Sequence, residues 1–572
     1  MTLPCGARAI ACADIKSKGE TGNTSMRKEK RLWERLPRAV TGALCALSLS
    51  MGVTMATATF VAPPAMAQGK TLRFAFQGTL NALDPYSLNE TFTLGMLGNV
   101  YEGLTSRDKQ LKIVPGLAES WETLDPLHWR FHLRKGVKFA NGDPFTADDV
   151  IFSAERVRSD GSDLKTRIPA DSEWKKVDDY TVDVILKSPN PILPAEWDTW
   201  YMMDKAWCEK VGAVKVVSAK DTNPGPSAYE ANGTGPFEIV SHQPGVKTVF
   251  KRNPNYWGKV ESNLDEVDFT PIASDSTRVA ALLSGDVDLI EPVPVQDIKR
   301  VEDNPNTDVL TGPELRVVFL NFNQIRDELP TSNVKGKNPF KDPNVRKAFY
   351  QAIDIDTIDK RVMRGLATPV PLLIAPQLYS APDLKRWPYD PAAAKKLLAA
   401  AGYPDGFTVG MDCPNDRYVN DERICQAVVS MLAKVGVTVK LNAQPKAKYF
   451  AKVLAPGGYD TDFSLLGWTP SGFDSWNVFT SLATCRDASG KGGPFNLGGY
   501  CNPKVDELAK KILVETDKTK RDDLIHQAYR ILLDDTSHIP LHQQSLSWGK
   551  RKNVEIVQRP DDEVLFYWAS IK

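Results

Sequence analysis

In TLRFAFQG (71–78), Leu72, Phe74 and Phe76 alternate with Thr71, Arg73 and Ala75, the period-two pattern of a strand with one buried face. The alternation returns in WRFHLRKGVKF (129–139), followed by the turn pair Asn141-Gly142, and in YTVDVIL (180–186). Between them, Thr146 and Asp149 have the spacing of a capping box, which predicts a helix after Thr146. The second half favours helices. Asp342-Pro343, Asp390-Pro391 and Asn502-Pro503 each set a capping side chain before a proline suited to the first helical position. Gly402 ends the second of these helices after AAAKKLLAAA. After the third, Val505, Leu508, Ala509, Ile512 and Leu513 form a core-facing stripe, and KTKRDDLIHQAYRILLDD (518–535) carries a similar one. IPLHQQ (539–544) reads as a strand returning to a sheet. Strands and helices are mixed throughout, so the fold class is α/β. Spacing alone does not give the wiring of the domains.

Composition adds a bound. The chain has 572 residues, 42% hydrophobic and 25% charged, enough for several cores. Lys+Arg and Asp+Glu both total 71, which gives no electrostatic footprint for nucleic acid. The first 67 residues differ from the rest. MRKEKRLWERLPR (26–38) is basic, AVTGALCALSLSMGVTMATATFVA (39–62) is apolar and small, and AMA (65–67) fits signal cleavage. We expect a secretory signal cut after Ala67, with Met26 rather than Met1 as the start. The apolar run is long enough to span a bilayer, so an uncleaved anchor stays open. Residues 1–67 hold nine basic and four acidic side chains, leaving 62 basic and 67 acidic beyond them, a net charge of −5. No later stretch is apolar enough to span, which predicts a soluble protein in an exported, oxidising compartment. Cys208, Cys413, Cys425, Cys485 and Cys501 make an odd set there. Cys485 and Cys501 are the best pair, closing a Gly-rich loop for about 3 kcal/mol. Cys413 and Cys425 are a second candidate pair.

The usual catalytic patterns are missing. The sequence has no GxSxG elbow, Walker loop, HExxH or GxGxxG opening a helix. His128/His132 and His538/His542 are four apart, but in strand-like sequence, where such residues lie roughly 13 Å apart. Asp148-Asp149 and Asp534-Asp535 sit near helix ends as capping and solvating acids. These features favour binding over catalysis, with no metal or cofactor. One stretch asks for a binding partner. In LGWTPSGFDSWNV (466–478), Pro470 and Gly472 exclude a helix interior, and Trp468 and Trp476 bracket the lone acid Asp474.

Several segments together carry a family resemblance. They are VYEGLTSRDKQLKIVPGLAESWE (100–122), FHLRKGVKFANGDPFTADDVIFSAERV (131–157), NGTGPFEI (232–239), KRNPNYWG (251–258) and ALLSGDVDLI (281–290). FLNFN (319–323), NPFKDPNVRKAFYQAID (338–354), YDPAAAKKLLAAAGYPDG (389–406), GWTPSGFDSWNVF (467–479) and CNPKVDELAKKI (501–512) follow in order, before the IPL return (539–541). In number and spacing the chain resembles the peptide-class (dipeptide, oligopeptide and nickel; family 5) periplasmic solute-binding proteins of ABC importers. The resemblance implies three lobes: lobe I from 68–100, 234–320 and 540–572; lobe II from 101–233, inserted; and lobe III from 321–539. Ligand would lie between lobes I and III, which close by a hinge.

The same resemblance places site residues. In dipeptide binders an aspartate of the GW loop meets the ligand ammonium; Asp474 falls there, with Trp468 and Trp476 excluding water. Arg417, in CPNDRYVND (413–421), is the candidate fork for the ligand carboxylate. Asn321 and Asn323 share a strand face and could bond ligand backbone; Asn323 is preferred because it lies nearer lobe III. The family loop often carries further acids where this chain has Ser475 and Trp476, which implies a bulkier or more apolar pocket. The expected function is capture of di- or oligopeptides, as a periplasmic monomer serving separate permease and ATPase chains. A non-peptide solute (opine, metal chelate, haem or glycan) on the same scaffold, or an exported chaperone, stays open.

Overall fold

Side-chain caps start the helices where local sequence predicts them. A computed structural model describes residues 69–219, 221–454, 460–486 and 492–572. In it, Thr146 and Asp149 form both bonds of a capping box at the head of helix Ala147–Val157. Asp342, Asp390 and Asn502 each accept a backbone N–H at the start of Pro343–Ala352, Pro391–Ala400 and Pro503–Val514. Each cap satisfies a donor that the helix itself leaves unpaired. His128 and His132 lie in strand His128–Leu133, and His538 and His542 in strand His538–Arg551, so neither pair shares a helical turn. Among the described residues, no helix is long and apolar enough to cross a membrane, and no His/Cys/Asp/Glu group could hold a metal. The expected signal sequence and its cut after Ala67 lie outside the described residues.

One sheet of eleven strands runs through the structure. Its hydrogen-bonded order is Thr438–Gln444, Thr408–Pro414, Phe463–Trp468, Thr307–Phe322, His538–Arg551, Leu289–Glu291, Lys70–Phe76, Leu264–Pro271, Lys247–Arg252 and Phe237–Gln243. Ala367–Pro369 pairs to the side of His538–Arg551. A separate antiparallel sheet is built from Ala118–Asp125, His128–Leu133, Thr181–Ile185 and Glu173–Asp178.

The hydrophobic cores divide the large sheet. One core gathers Leu72, Phe74, Phe131, Val184, Trp197, Phe269, Trp548 and Phe566. Strand residues of the small sheet thus share a core with both ends of the described chain. The residues from 318 to 541 build two cores of their own, one around Phe322, Phe349 and Phe463, the other around Phe319, Phe479 and Tyr529. These are the two jaws. The chain passes between them twice, along the long antiparallel strands Thr307–Phe322 and His538–Arg551. Both disulfides belong to the second jaw: Cys413 is bonded to Cys425, and Cys485 to Cys501. Cys208 is buried and unbonded to sulfur.

Candidate functional site

The two crossing strands lose register where they change jaw. Thr307–Pro313 pairs residue by residue with Ser545–Arg551, and pairing resumes at Val317 opposite Gln543. Glu314, Leu315 and Arg316 therefore face the single residue Gln544. A bulge bends its strand and re-aims side chains. This one turns charge inward: Glu314 is 1% exposed and Arg316 5%. Arg316 Nε donates to Glu314 Oε1 (2.6 Å), and Gln544 Nε2 donates to Glu314 Oε2 (2.6 Å). Gln543 Nε2 donates to the Glu314 carbonyl (2.7 Å) and to Gln377 Oε1 (2.9 Å). The Val419 N–H donates to Gln544 Oε1 (3.0 Å). Gln377 and Val419 belong to the second jaw, so both jaws meet at the bulge.

The bulge also accounts for the glycine of the GW loop. A Cβ on Gly467 would lie 2.6 Å from the Tyr418 ring and 3.1 Å from Arg316 Cδ. Only a residue without a side chain lets Arg316 lie beside the Tyr418 ring, whose centroid is 5.9 Å from the guanidinium carbon.

Two more carboxyls reach this place from the first jaw. Glu291 ends strand Leu289–Glu291, ahead of a cis bond to Pro292. Asp562 accepts from Trp548 Nε1 at 3.2 Å. Burial, then the charge of Glu314, pushes Asp562 up to about 7, against the opposing pull of Arg316. Burial and Asp562 together hold Glu291 well above the usual carboxylate range. Glu291 Oε2 has no partner among the described residues. Arg278 is near, but its N–H groups are committed to the carbonyls of Ile272 and Pro292 and to Asp275. Arg278 opposes the rise at Glu291, while Arg316 opposes that at Asp562 and pairs with Glu314.

The GW loop brings Trp468, Asp474 and Trp476 together, but Asp474 is already answered. Its two oxygens accept a fork of N–H groups from Arg521, at 2.8 and 2.9 Å. Asp474 Oδ1 also accepts the Trp476 N–H (2.7 Å) and so caps the short helix Ser475–Val478. Trp468 Nε1 donates to Asn477 Oδ1 (3.1 Å), and its ring lies 4.8 Å from that of Phe495. Trp476 is half-buried against the core around Phe479 and Tyr529. Arg417 is half-buried, 5.2 Å from the Tyr418 ring, with no ion pair among the described residues. Asn323 stands apart from this group. Its Nδ2 donates to the Thr461 carbonyl (2.8 Å), and its Oδ1 accepts the N–H groups of Ile325 and Arg326 in a turn of the second jaw.

Away from the bulge, further contacts link the jaws. Arg107, paired with Asp198, donates to the Gly472 carbonyl (3.3 Å) and lies 4.0 Å over the Phe473 ring. Lys446 Nζ lies 3.3 Å from Glu90 Oε1.

Sequence reasoning missed Glu291, Glu314, Arg316 and Asp562. A signal was there in GPELRVVFL (312–320), where Glu314 and Arg316 sit two apart in an apolar strand. Charged residues are rarely buried unless paired, so such a strand implies an internal ion pair. DLIEPVP (288–294) ends an apolar run on an acid in the same way.

Two separately cored jaws, joined by two strands with a polar cluster buried at the crossing, define a two-jawed solute-binding protein. Residues 112–490 match the bacterial extracellular solute-binding proteins, family 5 (Middle), and the chain belongs to that family. It is a binding protein and not an enzyme. Proteins of this family bind small solutes and work with ABC permease and ATPase partners. Among relatives, the glutathione-binding protein GsiB of Pectobacterium atrosepticum is 28% identical over 511 residues, covering 87% of this chain and 93% of that one. The binding protein AgaA of A. tumefaciens R10, solved with agropinic acid, is 25% identical with a TM-score of 0.73, covering 88% of this chain and 99% of that one. DppA from Helicobacter pylori, an ABC transporter-associated periplasmic binding protein solved with the peptide STSA, has the same fold. It is 24% identical with a TM-score of 0.74, covering 88% of this chain and 98% of that one.

Proposed function

We propose that this protein captures short peptides between its jaws in the periplasm and delivers them to an ABC importer. The observation that carries the reading is the polar cluster at the bulge, where both jaws contribute hydrogen-bonding groups. A short peptide offers the complementary set: an ammonium, backbone amides and a carboxylate. The relatedness to glutathione-binding proteins supports a small peptide-like solute. In this reading the jaws turn about residues 313–317 and 543–545, where the strand ladder is broken. Trp468 and Trp476 supply apolar walls, and Arg417 is the partner for a ligand carboxylate. Asp474 acts through Arg521, holding the loop in shape, and Asn323 shapes the turn after the crossing strand.

Native mass spectrometry of the purified protein, with release and identification of bound solute, tests this. A set of peptide masses supports the reading. The likeness to a protein solved with agropinic acid favours a second one, an opine-like solute, and a single defined non-peptide mass would establish it.

A further inference from the structure

We propose that Asp421 is a positioning residue for the ligand carboxylate: it fixes the shape of loop 414–420 and so presents Arg417 to the end of a bound peptide. The inference rests on the peptide reading and deepens it. Asp421 opens helix Asp421–Ala433, and an acid in a first turn ordinarily serves its own helix. This one turns back on the loop ahead of it. Its Oδ2 accepts the N–H groups of Arg417 (2.9 Å) and Tyr418 (3.0 Å), and its Oδ1 accepts that of Glu422 (2.9 Å). Asp421 is 3% exposed, so water cannot readily take over those bonds. Asn420, in the left-handed region at φ +56°, makes no cap bond and donates instead to the Val362 carbonyl (2.9 Å). The Cys413–Cys425 bond closes the same stretch from outside, joining residues 12 apart.

The neighbours of Arg417 tie the loop to the borders of the cleft. Asp416 Oδ1 accepts the Lys446 N–H (2.5 Å), and the Lys446 side chain meets Glu90 of the first jaw. Tyr418 Oη donates to the Gly467 carbonyl of the GW loop (3.4 Å). The Val419 N–H donates to Gln544 on the crossing strand (3.0 Å). Arg417 is thus bracketed by groups that reach the first jaw, the GW loop and the bulge, while its own guanidinium has no ion pair among the described residues. A guanidinium fork suits a carboxylate, and it binds one more tightly when it is held in place beforehand. Asp421 does the holding through two consecutive N–H groups, one of them that of Arg417.

Isothermal titration calorimetry with trialanine and trialanine amide, which lacks the terminal carboxylate, tests the role. The wild type should bind the acid more tightly than the amide by about tenfold or more, the loss typical when a charged hydrogen-bond partner is removed. Arg417→Ala should bring that ratio below about threefold, and Asp421→Ala should do the same. Adding Asp421→Ala to Arg417→Ala should lower trialanine affinity by no more than about threefold, because the two changes remove one interaction. Asp421→Asn keeps an oxygen for the N–H groups of Arg417 and Tyr418, and should restore a ratio within about threefold of the wild type. If Asp421→Ala does not fold, as read from circular dichroism, Asp421→Ser takes its place with the same expectation, since its hydroxyl is too short to reach both N–H groups. A variant that weakens acid and amide alike, with the ratio kept, makes Asp421 merely structural and overturns the proposal while the peptide reading stands. Equal binding of acid and amide by the wild type also overturns it, by removing Arg417 from the ligand, and again leaves peptide capture intact. Binding of neither ligand overturns both.

Discussion

At Asp474, one side chain does two structural jobs. It caps a helix and receives the Arg521 fork, with side-chain exposures of 18% and 13% for acid and base. Asn caps nearly as well as Asp but cannot pair with Arg521 as an ion. Asp474→Asn should therefore lower stability by about 1–3 kcal/mol in urea unfolding while changing trialanine affinity less than about threefold. A large loss of affinity with unchanged stability would return Asp474 to the ligand. The cap was readable, because Asp474 precedes SWNV in the chain. The pair was not. Arg521 lies 47 residues away on a helix whose stripe marks only its apolar face, and nothing local distinguishes it from its charged neighbours.

Among the elements, those specified by neighbours in sequence were the legible ones. The caps at Thr146, Asp342, Asp390 and Asn502 act within a few residues of themselves, and each helix starts as they direct. The strand read at 539–544 is longer, because its outer half pairs with residues 307–313, which no local pattern discloses. The bulge was invisible for the same reason: Gln544 and Glu314 are 230 residues apart. Removing the amide by Gln544→Ala would strand Glu314 Oε2 and the Val419 N–H, and should cost about 1–3 kcal/mol in urea unfolding. The Cys485–Cys501 bond closes a 16-residue separation, so the Cys485→Ser/Cys501→Ser variant should lose about 2–4 kcal/mol, read as a lower unfolding midpoint.

The whole molecule stores protons on folding. Burial raises Glu102, Glu196 and Asp562 to about 7 and Glu563 to about 8, from ordinary values of 3.8 to 4.5. Between those limits the folded state binds more protons than the unfolded chain, so these acids make stability fall as pH rises. His538 and His542 act oppositely. Burial lowers both to about 3 from 6.5, so they remain neutral when folded and cost stability as pH falls below 6.5. Above pH 6.5 only the acids are active in this balance. The unfolding temperature without ligand should therefore drop from pH 6.5 to pH 8.5, and a flat or rising profile would show that these carboxyls are ionised in the fold.

The Lys446–Glu90 contact has a consequence for time rather than for fit. It joins the jaws away from the bulge, with the lysine 37% and the acid 20% exposed, so salt can screen it. Such a pair contributes about 0.2–1 kcal/mol. If it must break before the jaws part, that energy belongs to the barrier for escape. Lys446→Ala should then shorten the residence of bound solute by up to about fivefold in stopped-flow release. Added salt should shorten it in the wild type and leave the variant unmoved.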